Sequence, residues 1–110
     1  MKPASKELDR CVDSCIACYR RCMQTAMGHC LEAGGRHVEP THFRLMMACA
    51  ELCRAAAHVM LAGVENHKAV CGACAVLCRD CARSCEGLDG MEDCARTCKE
   101  CADLCDKMAA

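Results

Sequence analysis

The sequence predicts an all-α chain folded as an antiparallel up-down-up-down four-helix bundle around a cysteine-lined core. Three observations carry that expectation. Cysteine recurs at steps of three and four residues, glycine and proline divide the chain into four segments, and no alternating β-type pattern occurs. At 110 residues the chain makes one domain, residues 1–110, with no room for a second.

The first segment opens at Ser5, a helix-capping residue type, and stops at Gly34-Gly35. The second opens at Glu39-Pro40, where proline suits a first helical turn, and runs to about Asn66 across a soft spot at Gly63. A third segment follows from about His67 to Glu86 and ends at Gly87. Asp89 and Glu92 then have the spacing of a capping box, so the fourth helix opens there and reaches about Met108. Short connections between helices of similar length favour antiparallel neighbours.

Composition decides what the interior must be. Hydrophobic residues make up 54% of the chain, but sixteen of them are Cys and eighteen are Ala; Leu, Ile, Val and Phe together supply only sixteen. Trp is absent, and Tyr19 and Phe43 are the only aromatic residues. An ordinary hydrocarbon core cannot be assembled from that inventory, so a compact fold has to place cysteine inside.

Charge is nearly balanced, with 14 Lys and Arg against 15 Asp and Glu. Without a concentrated basic patch or aromatics for base stacking, nucleic acid is not an expected partner. The opening MKPASKELDR is polar, with no apolar leader, and no stretch approaches the apolar length of a membrane span. The expectation is a cytoplasmic protein with no membrane partner. Thiols stay reduced there, which points to metal or redox chemistry before disulfides.

The cysteines fall on one stripe. Cys11, Cys15, Cys18 and Cys22 occupy the first segment, and Cys71, Cys74, Cys78, Cys81 and Cys85 the third. Cys94, Cys98, Cys101 and Cys105 occupy the fourth. These are the steps of inward-facing bundle positions. The second segment keeps the stripe with His42, Met46, Cys49, Cys53 and Met60; Met91 and Met108 extend the fourth, and Cys30 lies near the end of the first.

A single buried Cys is usually a small core residue and nothing more. A core filled with it is different, because each Cys in place of Leu gives up buried hydrocarbon and dispersion contacts. Disulfides between i,i+3 or i,i+4 pairs strain the required torsions. Zinc in closed four-thiolate sites would leave eight uncompensated negative charges along the axis. The run from Cys71 to Cys85 matches an iron–sulfur ligation pattern only loosely. Cu(I) fits better, being soft, thiophilic and tolerant of low coordination. With each thiolate bridging two ions the core becomes neutral, and it holds on the order of sixteen ions.

Met and His on such a stripe are ordinarily core filler or satisfied polar residues. Here antiparallel threading brings Cys30, His37, His42, Met46, Cys85 and Met91 to one end, and Cys11, Met60, His67, Cys105 and Met108 to the other. Weaker neutral ligands suit a loading mouth. His42, Met46 and Met91 make the first end a candidate, and the second end stays open as the alternative. Leu45, Ala48, Leu52, Ala55 and Val59 form a second apolar stripe, which reads equally as core shoulder or as a subunit interface.

The residues CVDSCIACYRRC, the histidine run His29–His42 leading into HFRLMMACAELC, VCGACAVLCRDCARSC and MEDCARTCKECADLC together resemble the four-helix-bundle bacterial copper storage proteins. The likeness covers essentially the whole chain. It implies Cu(I) held inside the bundle by all sixteen Cys thiolates, His and Met residues around one open end, and a homotetramer. It also places this chain with the cytosolic members, with a copper donor or acceptor as a further partner. The alternatives are a broad thiol sequestrant for zinc or other soft ions, and a thiol redox buffer. A redox pair would call for an exposed low-pKa Cys near a helix N-terminus. No nucleophile–base arrangement, phosphate-binding loop or convergent acid pair points to an enzyme.

Overall fold

The computed structural model describes residues 5–110; the first four residues of the polar N-terminal stretch lie outside them. Four rods pack into a slender bundle, 49 × 20 × 19 Å along its principal axes. They are α1 (Lys6–Gln24), α2 (Pro40–Ala62), α3 (His67–Cys85) and α4 (Glu92–Ala109). No strand occurs among the described residues. Cross-helix pairs fix the directions: Cys11 meets Cys105 and Cys22 meets Cys94, so α1 and α4 run antiparallel. Cys49 meets Cys78 and Cys53 meets Cys74, so α2 and α3 do as well. Up-down-up-down threading is the result.

The helix starts follow local chemistry. Ser5 Oγ accepts from the Leu8 amide at 3.0 Å and caps α1. The Glu39 carboxylate accepts from the amides of Thr41 and His42 at 3.1 and 3.0 Å, with Pro40 opening α2 behind it. Two boundaries differ from the sequence expectation. Gly63 takes a left-handed conformation (φ 77°) and stops α2 at Ala62, short of Asn66. The Asp89–Glu92 capping box does not form, and Met91 occupies the cap position of α4 without a side-chain cap. Asp89 is turned away because its carbonyl serves His29 and His37, while Met91 is drawn into the core, 0% exposed.

The first rod is not uniform. Beyond Gln24 it continues as a π-helical stretch, Thr25–Cys30, then a last α-turn, Leu31–Ala33, before the Gly34 turn and a 3-10 turn, Gly35–Val38. The reason is spacing. Cys22, Ala26 and Cys30 all face the core, four residues apart each time, which is one residue more than a regular stripe allows. Widening the helix absorbs that residue and keeps Cys30 inward.

Twenty-eight hydrophobic residues form the buried core: all sixteen Cys, seven Ala, Met46, Met60, Met91, and only Val12 and Leu88 from the aliphatic set. Alanines such as Ala50, Ala57, Ala75 and Ala102 let the rods approach closely, so cysteine sulfurs meet across the axis. By length and composition α2 also qualifies as a membrane span, with mean hydropathy 1.4 in its most apolar window, contrary to the sequence expectation. Its apolarity is partly that of Cys49, Cys53, Met46, Met60 and three alanines facing the bundle core. Arg79 ties α3 to Asp103 and Asp106 on α4, an exposed contact that contributes little energy.

Candidate metal centre

Every cysteine is free and buried, at 1% exposure or less. The closest thiol pair, Cys53 and Cys78, lies 3.4 Å apart, far from the roughly 2.05 Å of a disulfide. Other cross-axis pairs follow at 3.6–4.0 Å: Cys15 with Cys101 and Cys105, Cys18 and Cys22 with Cys98, Cys53 with Cys101. At a metal–sulfur bond near 2.3 Å, a three-coordinate ion needs its sulfurs about 4.0 Å apart and a linear one about 4.6 Å. The column is close to metal-ready without a change of fold.

Four quartets of thiols have sulfurs within 4.8 Å of one another: Cys15/Cys74/Cys101/Cys105, Cys53/Cys74/Cys78/Cys101, Cys18/Cys49/Cys53/Cys78 and Cys18/Cys22/Cys49/Cys98. In that order each quartet shares two sulfurs with the next: Cys74 and Cys101, then Cys53 and Cys78, then Cys18 and Cys49. This is a chain of edge-sharing sites. No more than two of them are disjoint, so four-thiolate ions that share no sulfur would fill two and no more. Bridging thiolates fill all of them.

Six cysteines extend the column beyond the quartets. Cys11 continues it to Cys105 at 3.7 Å, and Cys71 neighbours that pair. At the other end Cys94 lies 3.9 Å from Cys85, and Cys81 neighbours Cys22, Cys85 and Cys98. Cys30 stands last, its sulfur 3.9 Å from that of Met46 and 3.7 Å from that of Met91. A thiol and two thioethers thus close this end.

His42 belongs to the same end and is 4% exposed. Its Nδ1 pairs with Ser84 Oγ at 2.7 Å, while Nε2 is buried with no hydrogen-bond partner. An orphaned buried nitrogen is costly unless something else meets it. Burial holds the imidazole below its usual pKa, which keeps it neutral, the form that binds metal. Burial also pushes the Cys30 thiol up, followed by the charges that Cys94 and Cys81 would carry. Burial opposes the thiolate form of Cys30 while no cation balances it, so ion uptake at this end exchanges a proton for a cation.

Antiparallel threading brings Cys30, His42, Met46 and Met91 to one end, as the sequence predicts; Met60 is buried in the core, whereas Met108 is only partly so. Sequence reasoning missed the π-helical stretch, the Ser84 partner and the pairing of His29 and His37 with Asp89. The one legible signal for the first was the eight-residue gap from Cys22 to Cys30.

A four-helix bundle with a continuous, buried, unbridged sulfur axis is a container for soft metal ions. The chain belongs to the copper storage protein family, whose model (Csp) matches residues 4–110. Among solved structures it is similar to a protein from Nitrosospira multiformis, 54% identical over 96% of this chain and 97% of that one, with a TM-score of 0.94. It is also similar to a Cu(I)-bound copper storage protein, BsCsp3, at 31% identity over 96% of this chain and 100% of that one, with a TM-score of 0.86. Apo copper storage protein 3 from Bacillus subtilis follows at 32% identity, over 93% of this chain and 98% of that one, and a TM-score of 0.83. No curated protein matches the chain.

Proposed function

We propose that the protein stores Cu(I) as a neutral thiolate column, with all sixteen Cys as ligands and Cys30, His42, Met46 and Met91 forming the loading end. The edge-sharing quartets carry this reading. Shared sulfurs call for bridging thiolates, and a monovalent ion per thiolate cancels the buried charge. Zinc in its closed tetrahedral sites has room in only two of the quartets and leaves half the charge of each unbalanced. A thiol redox buffer needs an accessible reactive pair, and none of these thiols is exposed.

The role is storage rather than catalysis, in a single domain spanning residues 1–110 and working in the cytoplasm. No nucleic acid or membrane takes part, and copper is exchanged with a donor or acceptor. Homotetramer assembly uses the outer side of α2, where Leu45, Leu52, Ala55 and Val59 are half-buried and Ala48 is exposed. Neutral thioethers and an imidazole at the loading end bind a passing ion less tightly than thiolates do, which suits transfer inward. Parallel competition of the reduced protein against a tight Cu(I) chelator and a tight Zn(II) chelator tests the assignment. Copper is expected to be withdrawn from its chelator and zinc not; preference for zinc overturns it.

A further inference from the structure

The loading end is shut. Cys30, Met46 and Met91 are 0% exposed and His42 only 4%, so an ion reaches them only if something moves. The segment placed to move is the connection from α3 to α4. Leu88, within it, packs into the core cluster, and Met91 follows directly behind. Gly87 (φ 82°) and Gly90 (φ 78°) bracket Leu88 and Asp89, giving the segment a pivot at each side. A cavity of about 380 Å³ lies against it, reaching Cys85, Glu92 and Ala95, and leaves room for displacement.

What holds this segment down comes from two other places in the chain. His29 Nε2 and His37 Nε2 both donate to the Asp89 carbonyl oxygen, at 2.8 and 2.9 Å. Their rings meet edge to face with centroids 5.0 Å apart. One carbonyl has two lone pairs and accepts from both. His29 projects from the π-helical stretch and His37 from the 3-10 turn, so the two imidazoles tie three separate segments together. Gly90 is part of the fit: a Cβ there would lie 2.6 Å from His29 Nε2.

We propose that residues 86–91 are a hinged lid over the loading end, with His29 and His37 as its latch. The proposal rests on the storage reading for its purpose, but the motion has its own readout. Two changes release the latch by different routes. His29→Ala with His37→Ala removes the donors and leaves the loop intact. Gly90→Ala keeps both imidazoles and forces His29 off the carbonyl.

The test follows Cu(I) uptake by the reduced full chain from a coloured Cu(I)–chelator complex in stopped flow, and alkylation of the apo thiols by iodoacetamide. Circular dichroism checks that each variant keeps its helices. Both variants are expected to load and alkylate faster than the parent with unchanged capacity, roughly tenfold for the double histidine variant, which loses two hydrogen bonds, and about threefold for Gly90→Ala, which loses one. Unchanged rates of uptake and alkylation overturn the lid. Slower uptake by the double histidine variant overturns the latch and makes the imidazoles ion collectors. If the parent takes up no copper, the storage reading fails on its own, while alkylation still reports the lid.

Discussion

Removing the pair at the centre of the sulfur column, Cys53→Ala with Cys78→Ala, separates a bridged column from independent sites. These two sulfurs are 3.4 Å apart and are shared by two quartets. Cys53 also reaches Cys74 at 3.7 Å and Cys101 at 4.0 Å, and Cys78 reaches Cys49 at 3.7 Å. In a neutral column each thiolate balances one Cu(I), so the double variant loses about two ions. An end pair, Cys15→Ala with Cys105→Ala, belongs to one quartet and is expected to lose about two as well. That equality is the signature of bridging. Each truncation removes one sulfur from a packed core and costs the apo bundle about 1 kcal/mol. Together they lower its melting temperature by about 10 °C. Elemental analysis after anaerobic loading and gel filtration gives the ion count. Loss of a single ion from either variant, or collapse to half the parent capacity from the central one, refutes the bridged arrangement.

Replacing Met46 and Met91 with Leu keeps the volume, at a cost below about 1.5 kcal/mol each, but removes both thioethers beside Cys30. Uptake in stopped flow is expected to slow severalfold while capacity falls by no more than about one ion; unchanged uptake moves the loading end elsewhere. Deleting Gly28 takes the extra residue out of the π-helical stretch and leaves a seven-residue step from Cys22 that a regular α-helix keeps inward, so alkylation of Cys30, followed by mass spectrometry, is expected to stay as low as that of the other thiols. Exposure of Cys30 in this variant contradicts the spacing argument. Apo stability is expected to fall on both sides of neutrality, read from urea midpoints. The Cys30 pKa is raised from 9.0 by burial, so its contribution is full below about 9 and lost as pH rises through the folded value. The His42 pKa is lowered from 6.5 by burial, so its contribution is full above about 6.5 and lost as pH falls through the folded value. A flat profile contradicts both.

The architecture and the sulfur axis were legible because cysteine at steps of three and four admits one face of one helix type, and four such faces admit one common axis. Cys11 to Cys22 and Cys94 to Cys105 needed nothing more. The breaks in that regularity were where local pattern fell short. Asp89 and Glu92 have capping-box spacing, but tertiary contacts with His29 and His37 took Asp89 elsewhere. Gly63 read as a soft spot inside a helix, whereas its left-handed conformation ends α2. Ser84 beside His42 was invisible because a pairing between residues 42 apart leaves no local trace. The two histidines that pair with Asp89 were hidden for the same reason.

The most direct test is the ratio of copper to thiol in the fully reduced protein after anaerobic Cu(I) titration, with both quantities measured on the same sample. A shared-ligand axis predicts a ratio near one, on the order of sixteen ions per chain. A plateau near one ion for every four thiols would contradict it.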